Sequence, residues 1–227
     1  MSVSDDTQLT PAKGNTLWLD TSSLETSIAL LQDGRLLTHR TSETNTMDFL
    51  FSGLAGCLRE QDLAFQDLGT IYYCEGPGSS LGLRIAAMAL KTWKATHPGL
   101  RLSTCRSLPL HAALLAHSTE TPECFTLVAQ HRKGTWFSLQ YDCNDGFRLE
   151  MNTLSDEEIP EIEGPVYHMK QRKFATEPPA HFLPLETSLE ALPEILKITG
   201  LFRKVDHPEF FDTGIPPFKK WTPQRHR

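Results

Sequence analysis

Two short segments bring together residue types that bind anions or metals. Asp20-Thr21-Ser22-Ser23 follows the apolar run Leu17-Trp18-Leu19, and Glu75-Gly76-Pro77-Gly78-Ser79 follows Ile71-Tyr72-Tyr73-Cys74. Glycines at 76 and 78 open backbone conformations that side chains obstruct, while Pro77 stiffens the turn. The free amides of a helix beginning after such a turn can receive a phosphate or carboxylate, with Thr21, Ser79 and Ser80 adding hydroxyl donors. Asp20 can orient a magnesium ion through waters, but one carboxylate is a poor metal site. Asp20, Thr21, Gly76, Gly78 and Ser79 are therefore the candidate cofactor-binding residues. They also suit ordinary turns and caps, and residue type alone favours neither role.

Stronger chemical motifs are missing. Neither the GxxxxGK(S/T) phosphate loop nor GxGxxG is present, and Ser79 is outside any GxSxG nucleophile elbow. Glu75 reads as a structural hydrogen-bonding residue of the turn, and Cys74 as the end of a core strand. His39, His111, His117, His131 and His181 form no compact motif. No acid–base dyad, catalytic triad or metal ligand is assigned.

The elements that position these segments follow from periodicity. Thr16–Asp20 reads as a strand, about 26–31 as a second, and Arg35–Arg40 as a third, closed by Gln32-Asp33-Gly34. At Met47 the period becomes helical: Met47, Leu50, Phe51, Leu54 and Leu58 share one face, with Asn45 or Thr46 near the cap. A strand at about 70–74 leads through the glycine turn into a helix over Ser80–Thr96. A short strand near 101–105 and a helix near 107–117 follow. Strands are expected at Cys124–Gln130, Thr135–Tyr141, Phe147–Leu149 and Pro165–His168, and a last helix at Ser188–Thr199.

Within 80–90, apolar residues exceed the single stripe of a surface helix, so burial on two sides is expected. One side faces the chain's own sheet; the other faces the preceding helix or another protein. Leu81, Ile85 and Met88 are the candidate interface residues, with Arg84 either anchoring the rim or pairing with a carboxylate.

The chain of 227 residues is long enough for a sizeable core, and 39% hydrophobic with 22% charged residues marks a globular protein. A formal charge of −6 gives no global reason for nonspecific nucleic-acid binding. Lys219, Lys220, Arg225 and Arg227 read as a solvated basic terminus. Five dispersed cysteines without CxxC, and no basic start followed by an apolar run, predict a cytoplasmic protein with reduced thiols. No segment has the length of a membrane span. The expected organisation is a loose leader over 1–15, a first lobe over 16–118, and a second lobe with a closing tail over 119–227.

The pairing of LDTSS at 19–23 with GPGSSLGLRIA at 76–86 resembles the TsaB family, also called YeaZ, whose pattern joins IDTS/T to GPGSFTGLRIG. The resemblance is best over 16–118. It implies an α/β chain of the actin-like, sugar-kinase ATPase fold, with two ribonuclease-H-like lobes and the second reduced or divergent. It also implies a noncatalytic partner of a TsaD-like subunit, which transfers a threonylcarbamoyl group to adenosine 37 of tRNA, in a complex with a TsaE-like ATPase. The first-lobe helices would form the interface, adding Met47, Leu50, Phe51 and Leu54 to the residues above. Homodimer formation is a further expectation; tRNA would be engaged indirectly, and ATP or ADP with magnesium at the level of the complex. The sequence departs from the pattern at Asn45-Thr46-Met47, where a histidine is usual, at Ser80-Leu81, and at Gln130 in place of an acidic residue. The alternatives are a nucleotide-binding enzyme of the same fold, using Asp20, Thr21 and Ser79, and a homodimeric regulatory protein pairing through the apolar helix.

Overall fold

The structure, a computed structural model, describes residues 14–118, 122–144, 150–171 and 176–211. The expected strand at 147–149 and the basic terminus lie outside these residues, as does the leader up to residue 13. In chain order the elements are β1 (Asn15–Asp20), β2 (Thr26–Gln32), β3 (Arg35–Ser42), α1 (Thr46–Glu60), β4 (Leu68–Gly76), α2 (Ser80–Thr96), β5 (Arg101–Arg106) and α3 (Ser107–Ala116). They continue with β6 (Cys124–Arg132), β7 (Thr135–Asp142), β8 (Asn152–Ser155), β9 (Val166–His168), β10 (Leu183–Pro184), α4 (Leu192–Ile195) and β11 (Arg203–Val205).

The strands form two sheets with one plan. The first runs β11-β5-β4-β1-β2-β3 and the second β10-β9-β6-β7-β8. Each opens with three antiparallel strands and adds two parallel ones beside its first strand. This repeated order is the ribonuclease-H-like plan, and two such lobes make the actin-like, sugar-kinase-type fold that the resemblance implies. In the second lobe the later strands are short, with Val166–His168 and Leu183–Pro184 as its parallel pair.

Alternation along the central strands assigns the faces. Leu17 and Leu19 of β1 and Ile71 and Tyr73 of β4 point into one cluster, covered by α1 and α2. Trp18, Tyr72 and Cys74 point into another, covered by α3 and α4. On α1, Asn45 caps the start by accepting from the Met47 amide at 2.9 Å, and Leu50 and Leu54 lie against the sheet. Full burial of each such leucine contributes about 1.5–3 kcal/mol. α3 is apolar on every side because it is the shared wall between lobes: Leu110 and Leu114 face the first sheet, and Leu108, Ala112 and Leu115 face Phe125, Leu127 and Phe137 of the second.

Two expectations need correction. The helix expected over 188–199 is a 3-10 turn at Leu189–Ala191 followed by the single turn α4. Pro193 suits a first helical turn, and the 3-10 bonds from Lys197 and Ile198 then tighten the chain towards Gly200. This region, expected within the second lobe, is seated on the first. Leu189, Leu192 and Ile195 join the Trp18 cluster, and β11 extends the first sheet beyond β5. Phe202 meets Trp18 and Tyr72 edge-on at 6.2 and 5.1 Å, which fixes the return.

Candidate functional site

The two sequence segments meet at the carboxyl ends of β1 and β4, where ligands collect in α/β proteins. Gly76 has φ +101°, a conformation that favours glycine. At Gly78 the requirement is space, since a Cβ there would collide with the Ser22 carbonyl oxygen. A Cβ on Gly82 would likewise collide with the Thr21 carbonyl. The Ser79 amide donates to the Ser22 carbonyl at 2.7 Å, and Ser79 Oγ caps α2 by accepting from the Gly82 amide at 3.3 Å. Ser107 Oγ donates to the Pro77 carbonyl at 2.5 Å. The glycines therefore let the turn and the start of α2 press against the exit of β1, and the Ser79 amide is already used.

Asp20 and His111 form the main electrostatic feature. Asp20 ends β1 and is buried; its Oδ1 accepts from the Ser22 amide at 2.8 Å, and its Oδ2 lies 3.2 Å from His111 Nε2. Burial opposes the carboxylate charge, but the His111 ring and the Ser22 amide outweigh it, holding Asp20 below the usual carboxylate range. Neither ring nitrogen has an aligned hydrogen-bond partner among the described residues, nor do Thr21 Oγ1 and Ser22 Oγ. The pocket lined by Asp20, His111, Ser23, Glu25, Lys170 and Glu186 encloses ≈ 40 Å³. That accommodates roughly two or three waters and falls far short of a small-molecule site.

A larger groove of ≈ 420 Å³ lies between the lobes, where α1 and α2 begin. Its lining includes Asn45, Thr46, Gly78, Ser79 and, from the second lobe, Gln130 and His131. Burial and the neighbouring Arg132 push the His131 imidazole below its ordinary range. Asp20 and Thr21 do not line this groove, so the five candidate ligand residues do not converge on one cavity. Ser23 lines both spaces. Among the described residues, no three His, Cys, Asp or Glu side chains group as a metal site.

Glu75 faces away from the groove. Its buried carboxylate accepts from Arg203 Nη2 at 2.6 Å and Thr104 Oγ1 at 3.2 Å, with Arg106 Nε at 3.7 Å. It holds the turn through side chains, consistent with a structural role.

The expected interface residues divide sharply. Leu81 and Met88 on α2 are 69% and 65% exposed, and Met47 and Phe51 on α1 are 53% and 49% exposed. Arg84 is exposed beside them, and Ile85 is half-buried against the core. Leu50 and Leu54, expected at the interface, belong to the core cluster, because they lie on the sheet-facing side of α1. α2 is correspondingly one-sided: Gly82, Ala86, Ala89 and Leu90 are buried, and its outer side is open.

Sequence reasoning treated His111 as one of several scattered histidines. A usable signal lay in α3 itself, where His111 is the single ionisable residue in a helix apolar on every face and so needs a buried partner. For the Arg203–Glu75 pair, 128 positions apart, no local signal existed.

No family model matches the chain, and no curated protein matches it. Among solved structures, YeaZ from Pseudomonas aeruginosa is 21% identical with a TM-score of 0.57, covering 68% of this chain and 74% of that one. A second structure, an uncharacterized protein from Pseudomonas aeruginosa with similarity to peptidase YeaZ, is 21% identical with a TM-score of 0.60, covering 80% and 89%. These likenesses show the two-lobed fold.

Proposed function

We propose that the chain is a noncatalytic partner of a TsaD-like subunit in forming N6-threonylcarbamoyladenosine at position 37 of tRNA. The observation that carries this reading is the exposure of Met47 and Phe51 on α1 and of Leu81 and Met88 on α2, two helices that meet through Phe51 and Trp93. Scattered single apolar residues are ordinary on a surface, whereas four on adjacent helices suit a docking face. The YeaZ-like fold and the GPGSSLGLR segment favour a TsaD-like subunit as the occupant.

Asp20 supports the noncatalytic side of the reading. Both carboxylate oxygens face partners within the chain, and its small pocket does not fit a nucleotide with magnesium. ATP or ADP belongs, on this reading, to the assembled complex and its TsaE-like ATPase, and tRNA contact is indirect. A nucleotide-binding enzyme would require a cavity that joins Asp20, Thr21 and Ser79. Self-pairing through the same helix face is the competing use of the exposed stripe.

Reconstitution tests the role. The TsaD-like subunit, the ATPase, tRNA and the threonylcarbamoyl donor should form the modified nucleoside only when this chain is added. Equal product without it removes the proposal, and ATP turnover by the isolated chain would favour the enzyme alternative.

A further inference from the structure

The segment from Arg203 to Phe211 touches the first sheet, the glycine turn and the second lobe. β11 adds to the edge of β5, and Arg203 then reaches in two directions, to Glu75 Oε2 and to Glu209 Oε2, each at 2.6 Å. The Tyr73 hydroxyl grips both backbone groups of Glu209, accepting from its amide at 2.8 Å and donating to its carbonyl at 3.0 Å. The Phe211 amide donates to the Glu75 carbonyl at 2.9 Å, directly before the glycine turn.

The two adjacent phenylalanines diverge. Phe210 packs on Tyr73 at 5.4 Å and joins the cluster beneath α1 and α2. Phe211 joins the interlobe cluster instead, edge-on to Phe137 of β7 at 5.4 Å, with the Arg106 guanidinium 5.4 Å from its ring centre. Its Cβ also lies 3.5 Å from where a Cβ on Gly76 would stand. The two side chains point to opposite sides, so one short stretch anchors in both lobes.

We propose that residues 203–211 are an interlobe buckle that pins the second lobe to the glycine turn and thereby sets the width of the groove at the start of α2. Phe211 is its second-lobe anchor, and Arg203 is the positioning residue that holds Glu209 and Glu75 together. Releasing Phe211 frees β7 from the turn without removing anything from beneath α1. The effect is local opening rather than unfolding of the first lobe.

Hydrogen exchange on the full chain reads this directly, comparing the parent with Phe211→Ala. Exchange in peptides covering 76–79 and 135–142 should rise about tenfold, with peptides covering 50–58 unchanged. Unchanged exchange in the first two regions overturns the buckle, and so does a rise of equal size in all three, which marks general destabilisation. If Phe211→Ala does not yield folded protein, Arg203→Lys is judged by the same peptides. It keeps the charge but loses the two-headed bridge, and a rise confined to 76–79 and 135–142 is again expected. This test requires no partner protein, so its outcome is separate from that of the proposed docking role.

Discussion

The backbone amide of Ser79 donates to the carbonyl oxygen of Ser22 at 2.7 Å, joining the glycine turn to the exit of the first strand. That bond explains why two segments 57 positions apart share a pattern of small residues. Gly78 and Gly82 lie where the Ser22 and Thr21 carbonyls leave no space for a side chain. The motif is first a packing device that sets the start of α2.

Gly78→Ala should therefore destabilise the chain by about 2 kcal/mol or more, because the obstacle is backbone rather than a flexible side-chain end. Gly99→Ala is the control, since a Cβ there meets nothing within 4 Å. Urea unfolding of both variants checks the contrast.

Asp20 predicts an acid dependence with a definite sign. Its carboxyl is held below the ordinary range in the fold, so the unfolded chain takes up this proton first as pH falls. The stabilisation is complete above the unfolded value, about 3.9, and is lost as pH drops through the folded value. At pH 7, Asp20→Asn should cost about 1–3 kcal/mol by giving the buried Ser22 amide a neutral acceptor in place of a carboxylate. The gap in Tm between parent and variant should begin to narrow below about pH 4. A gap that stays constant in acid would contradict the assignment.

The helix face should separate into two kinds of residue. Leu81→Glu and Met88→Glu should change stability by no more than about 0.5 kcal/mol, since both side chains are exposed. Leu50→Ala and Leu54→Ala should each cost about 2–5 kcal/mol as buried truncations. Thermal unfolding of the four variants measures the difference.

Much of the first lobe could be read from sequence because its strands alternate cleanly between two cores. Leu17 and Leu19 against Trp18, and Ile71 and Tyr73 against Tyr72, identify buried strands without tertiary information. Helix periodicity was less informative about what lies outside α1 and α2. Leu50 and Phe51 are neighbours in one apolar run, yet Leu50 is in the core and Phe51 is half exposed. A 3.6-residue period leaves such neighbours about 100° apart, and the sheet decides which one it covers. The return of 189–205 to the first sheet depends on Phe202 meeting Trp18, a long-range contact that leaves no local trace. The Asp20–His111 pair is equally long-range, and its one local trace is a lone ionisable residue in the apolar α3.

The cysteines give an independent check on the packing. Cys57, Cys74 and Cys105 are buried, and burial pushes all three thiols up. Cys124 and Cys143 are exposed. A thiol reagent at neutral pH should modify two cysteines in the folded chain and the other three only after denaturant is added. Early modification of Cys74 or Cys105 would contradict the packing of β4 against β5.

The central claim is that the outer face of α1 and α2 docks a TsaD-like subunit, and the molar mass of an equimolar mixture tests it most directly. Light scattering should give the summed mass for the parent chain, and separate masses when Leu81→Glu and Met88→Glu are combined in a chain that remains folded. Two separate masses with the parent chain, both proteins being folded, would contradict the claim.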